Sequence, residues 1–114
     1  MSPAVTKSTV EILLKTWMIC EATAHLQESL RKNNKAFYHQ FKACAGSCFN
    51  MARHLMEPSE EFTIEHQIAC MVECRSCAKI CREFASIPEI VFCGSICEAC
   101  LVSLTITNLN YQLN

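Results

Sequence analysis

Residues 70–81 read CMVECRSCAKIC, with cysteines at successive intervals of four, three and four. Positions three and four apart on an α-helix share a face, so Cys70, Cys74, Cys77 and Cys81 form one stripe on one helix. The register recurs on either side. Cys44 and Cys48 stand four apart in CAGSC, and Cys93, Cys97 and Cys100 repeat the four-then-three interval in CGSICEAC. Inward positions of this kind belong to helices whose stripes meet in a bundle core.

Breaks between the stripes set the number of helices. Ser2-Pro3 places a capping hydroxyl before a proline at the first helical position, and the first segment runs to about Lys32. Asn33-Asn34 interrupts it. The second segment runs from Lys35 to Met56, before Glu57-Pro58-Ser59. The third begins at Ser59 or Glu60 and continues to about Ala85, and Ile87-Pro88-Glu89 opens a fourth that ends near Asn110. Long segments joined by very short links make antiparallel neighbours. The expected fold is therefore all-α, an antiparallel up-down-up-down four-helix bundle with a cysteine-lined core, spanning residues 1–114 as a single domain. Two glycines and three prolines in the chain leave too few turns for a β sandwich or barrel.

Folding antiparallel helices about these links gives a layer map. Cys81 meets Cys93, Cys77 meets Cys97, and Cys74 meets Cys100, with Leu104 opposite Cys70. Cys48 falls near Cys70 and Cys44 near Cys74, while Phe41 and Phe37 face the two remaining layers. Cys20, alone on the first segment, falls near the level of Cys44 and Cys48, and His25 near Cys77. The other half of the core is expected to be hydrocarbon, with Leu13, Trp17, Leu55, Ile64 and Leu104.

A formal net charge of −1 offers no basic stripe for nucleic acid. No acid/base pair, phosphate loop or nucleophile with an oriented base is legible, so no enzyme is expected. Residues 90–106, IVFCGSICEACLVSLTI, fall just short of bilayer length and carry Glu98 near their centre. They read as a buried helix, without a membrane partner. The last 26 residues hold only Glu89 and Glu98 as charged side chains, which predicts a second apolar face suited to a subunit interface, and so a homo-oligomer. Glu11 and Lys15 interrupt any apolar run in MSPAVTKSTVEILLKTWM, so the start does not read as a secretory signal and a cytoplasmic location is expected.

In that compartment thiols stay reduced, and ten in so short a chain point to metal ligands rather than disulfides. A column of thiolates in a dry core is costly unless cations neutralise it. Monovalent copper suits thiolates, and its low coordination lets two cysteines four apart serve one ion. Zinc sites usually draw four ligands from C-x2-4-C turns, whereas the one C-x2-C pair here, Cys74 and Cys77, lies within a helix. Iron–sulfur spacings are absent. The candidate ligands of several copper(I) ions are Cys20, Cys44, Cys48, Cys70, Cys74, Cys77, Cys81, Cys93, Cys97 and Cys100. Taken singly, Cys20 reads better as a small core hydrophobe. His66, four before Cys70, and Met51, three after Cys48, are candidates for an intake site, whereas His25 reads as a surface histidine. Gly46 and Gly94, inside the cysteine motifs, are expected to leave room beside the thiols. The alternative function is a structural or interaction bundle whose core cysteines stay protonated and bind no metal.

Repeated C-x3-C motifs on a short four-helix bundle resemble those of the bacterial copper storage proteins and their cysteine-rich relatives. The resemblance runs from the second helix onward, on Cys44/Cys48, Cys70/Cys74/Cys77/Cys81 and Cys93/Cys97/Cys100. It implies cytosolic storage of many copper(I) ions, held mainly by thiolate pairs, in homo-oligomers that are commonly tetramers. It also implies metal intake at one end of the bundle near histidines, with a copper chaperone as the candidate delivering partner. The chain departs from the fullest pattern. Its first helix lacks C-x3-C and Leu104 stands where a further cysteine would extend the fourth stripe, so a lower capacity is expected.

Overall fold

The computed structural model describes residues 3–30, 35–57 and 64–113, with side chains placed for 6–26, 37–57 and 64–107. Four helices follow in order: α1 Pro3–Leu30, α2 Lys35–Met56, α3 Ile64–Arg82 and α4 Pro88–Leu113. Each packs on two neighbours. α1 lies against α2 and α4, and α3 against α2 and α4, closing a ring about one core. The body measures 45 × 23 × 19 Å, the elongated shape of a bundle.

α4 begins as its sequence requires. Pro88 takes the first helical position, where a missing N–H costs nothing, and the Ile87 carbonyl accepts from the amides of Ile90 at 3.1 Å and Val91 at 3.0 Å. α3 stops at Arg82, short of the expected Ala85. The cause is the following turn. Glu83 N–H donates to Ile80 O at 3.0 Å and Phe84 N–H to Cys81 O at 3.1 Å, tightening the last turn to a 3₁₀ pattern before Pro88 bars the preceding residue from helix. The expected cap at Ser2, break at Asn33-Asn34 and third-helix start at Ser59 or Glu60 lie outside the described residues.

The half of the core without cysteines departs from expectation. Leu13, Leu55 and Leu104 are buried there, but Ile64 is exposed and Trp17 is only half-buried, its ring tilted against Phe49 with centroids 4.9 Å apart. Polar side chains fill much of the remainder. Thr9 and Thr107 share a hydroxyl hydrogen bond of 2.9 Å, and Thr16 and Gln67 are fully buried. Inward positions on α1 run Thr9, Leu13, Thr16, Cys20 and Thr23, again at intervals of four and three. Threonine is tolerated because its hydroxyl can return to its own helix. Thr16 and Thr23 each donate to the carbonyl four residues back at 2.7 Å, and Thr107 does so at 3.0 Å.

Gln67 is less well satisfied. Its Nε2 donates to Leu104 O at 2.8 Å, but its Oε1 is buried without a hydrogen-bond partner. Leaving an acceptor dry costs about 1–3 kcal/mol, more than the single hydrogen bond returns. Gln67→Met, similar in volume, is therefore expected to stabilise the metal-free bundle by about 1 kcal/mol. Urea unfolding followed by circular dichroism measures it, and a clear loss of stability would mean that Oε1 has a partner such as water.

Candidate metal centre

All ten cysteines are free thiols and all are buried. They form one continuous column. Cys20 Sγ lies 3.8 Å from Cys93 and 3.7 Å from Cys97, and Cys97 lies 4.0 Å from Cys44. Cys44 and Cys48 stand 3.9 and 3.7 Å from Cys74, and Cys48 and Cys70 are 3.9 Å apart. Three groups have every sulfur within 4.8 Å of the others: Cys77, Cys81 and Cys93; Cys20, Cys44, Cys77 and Cys97; and Cys44, Cys48 and Cys74. Shared members link them into a chain. Cys100 joins through Cys48 and Cys74, with the Thr16 hydroxyl beside it.

The pairings of Cys81 with Cys93, Cys77 with Cys97, Cys44 with Cys74 and Cys48 with Cys70 follow the expected layers. Cys20 differs. The four-thiol group takes one cysteine from each helix, and Cys20 is the contribution of α1. Its stripe partners are threonines, so no C-x3-C signal marked it. Only the convergence of four helices does.

The cationic side chains beside the cysteines, Arg75, Lys79 and Arg82, point outward and leave the column neutral-walled. Gly94 and Gly46 part company. A Cβ on Gly94 would lie 2.8 Å from Cys81 Cβ, so glycine is required for α4 to approach α3 there. Gly46 is exposed with open space where a Cβ would stand, and it makes no room for thiols. His25 is exposed, 3.9 Å from Glu21 across one turn, and is not brought to the column.

His66 and Met51 do come to one cavity. It measures about 250 Å³, lies between α2 and α3, and is lined also by Cys70, Ser47, Asn50 and His54. The His54 and His66 rings stack with centroids 5.5 Å apart. His54 went unnoticed in the sequence, although it stands three residues after Met51 and so shares its face of α2.

Burial raises the cost of ionising every thiol, and contacts decide which give way. Contact with Cys20 above all holds Cys44 and Cys93 below the ordinary thiol range. Contact with Cys48, then Cys74, brings Cys70 down to about 6 and Cys100 to about 4. The partners move the other way. Cys48 and Cys74 are raised chiefly by Cys100, Cys77 and Cys97 by Cys20, and Cys20 by Cys44. At Cys81 the Cys77 contact lowers the pKa, but the Cys93 contact and burial outweigh it and push it up to about 12. The column titrates as a set, with protons held between neighbours. Its donors are all soft sulfur in a dry setting, which fits a soft cation and offers nothing to a hard one.

Compared with known proteins, the chain matches no family model, no curated protein and no solved structure.

Proposed function

We propose that this protein is a cytosolic, non-enzymatic store for copper(I), of the kind the C-x3-C stripes resemble. The observation that carries the reading is the unbroken column of ten buried, reduced thiols, each within reach of at least one other. A monovalent ion on each thiolate leaves the column electrically neutral, so capacity should approach one ion per cysteine. Ions held between two thiolates from different helices would also tie the bundle together. The groove of Met51, His54 and His66 over Cys70 is the proposed intake, because imidazole and thioether can accept a soft ion before thiolate does.

The test is competition for copper(I) between the oxygen-free reduced chain and a high-affinity chromophoric chelator. Several ions per chain are expected. Each bound ion displaces a proton, so apparent affinity should climb with pH, and an unbuffered titration should release about one proton per ion. Failure to compete would leave the alternative, a structural bundle whose thiols stay protonated. Self-association is proposed on the exposed side of α4, where Val91, Phe92, Val102 and Ile106 meet solvent. The stretch Pro88–Thr107 is long and apolar enough to cross a membrane. Its other side places Cys93, Cys97, Cys100, Leu104 and Thr107 in the core of the bundle.

A further inference from the structure

The column comes nearest the surface at two places. Eight of its thiols are 0% exposed, and only Cys70, at 1%, and Cys81, at 2%, are not fully sealed. Cys70 sits under the histidine groove. Cys81 lies at the other end of the column, in a separate cavity of about 230 Å³ between α3 and α4.

Ala78, Cys81 and Gly94 line that cavity, together with Arg82, Ser95 and Glu98. Gly94 keeps it open. A Cβ there would stand 3.7 Å from Cys81 Sγ as well as against its Cβ, closing in on the least buried cysteine of the column. Two opposite charges lie side by side, Arg82 Nε being 3.5 Å from Glu98 Oε1, and both side chains are more than half exposed. They are therefore free to exchange each other for a solute carrying both charges. The histidine groove is lined differently, by Arg53 with His54 and His66.

We propose that the Cys81 groove is a ligand-exchange port, where a small zwitterionic thiol of the amino-acid type withdraws a copper(I) ion from the column. The solute's carboxylate meets Arg82, its ammonium meets Glu98, and its sulfur reaches the ion on Cys81. The incoming thiol gives up its proton as its sulfur–copper bond forms. The copper–Sγ bond to Cys81 breaks and Cys81 takes up that proton. A second solute thiol displaces the ion's other protein thiolate in the same way, passing its proton to it, and the ion leaves between the two solute sulfurs. Copper stays monovalent and no electron is transferred. Cys77 and Cys93 stand within 4.8 Å of Cys81, so the vacated thiol can be resupplied from deeper ions. The port rests on the storage reading and adds to it a route out, distinct from the route in.

The test uses the full chain loaded with copper(I) without oxygen. Protein-bound copper is counted at intervals after mixing with excess cysteine or 2-mercaptoethanol at equal thiolate concentration, followed by rapid desalting. Cysteine should strip the wild-type chain faster. Ser95→Phe, which plugs the groove from its exposed rim, should slow removal by both thiols roughly tenfold. Arg82→Ala with Glu98→Gln should abolish the preference for cysteine, worth about threefold for exposed charges. Unchanged rates in Ser95→Phe overturn the port, as does slowing by the equivalent plug in the other groove, Asn50→Phe, instead. A chain that takes up no copper fails earlier, at loading, and sinks the storage reading along with the port.

Discussion

Replacing Cys74 and Cys77 together with serine is expected to lower copper(I) capacity by more than the loss of two thiols accounts for. Cys77 belongs both to the group with Cys81 and Cys93 and to the one with Cys20, Cys44 and Cys97, while Cys74 completes the group with Cys44 and Cys48. The pair thus touches every group in the column. A serine hydroxyl is a poor ligand for a soft ion and does not ionise near neutral pH, so the remaining thiolates around each gap face one another without a full set of cations. They should keep their protons instead. Cys70→Ser, at the end of the column, removes only a terminal member and should cost far less. Counting ions per chain by chelator competition measures both. A double variant that loses only two ions, or none, would mean that the thiols act independently or that ions lie elsewhere.

Removing the Phe41 side chain should have the largest effect on the metal-free fold. Phe41 is fully buried on α2, one turn before Cys44, and is the largest fully buried side chain among the described residues, in a core rich in small thiols, alanines and threonines. Phe41→Ala is expected to cost about 3–5 kcal/mol, part from lost apolar burial and part from the cavity left behind. A domain of this size has little more than that to lose, so the variant should be largely unfolded or molten without metal. Copper should restore it, because ions that bind only the folded column shift the equilibrium toward it. Circular dichroism melts of the variant with and without copper(I) measure both effects. A Phe41→Ala protein that melts like the wild type, or one that copper leaves unfolded, would contradict the coupling of the column to the fold.

Much of the candidate site was legible because helical periodicity is local. Cys70 to Cys81 are within one helix, so their common face follows from backbone geometry alone, and the same holds for Cys44/Cys48 and Cys93/Cys97/Cys100. The residues that escaped notice lack a repeating chemical signal. Thr9, Thr16, Thr23 and Gln67 look like a solvated face because their polarity hides an inward register. His54 became part of a site only when α3 brought His66 against it. Ile64 shows the reverse error, an apolar residue counted into the core but left exposed at the described start of α3.

The sequence by itself determined the number of helices, their antiparallel order and the three cysteine stripes, since caps, prolines and intervals of three and four act within a segment. The tertiary structure alone decided that Cys20 stands in a group that draws a thiol from every helix, that Gly94 but not Gly46 makes room, and that the column nears the surface beneath two different grooves. Each of these depends on how far a helix is rotated about its axis and slid along its neighbour. Side-chain packing across the bundle sets those two quantities, and no run of residues within a single helix contains them.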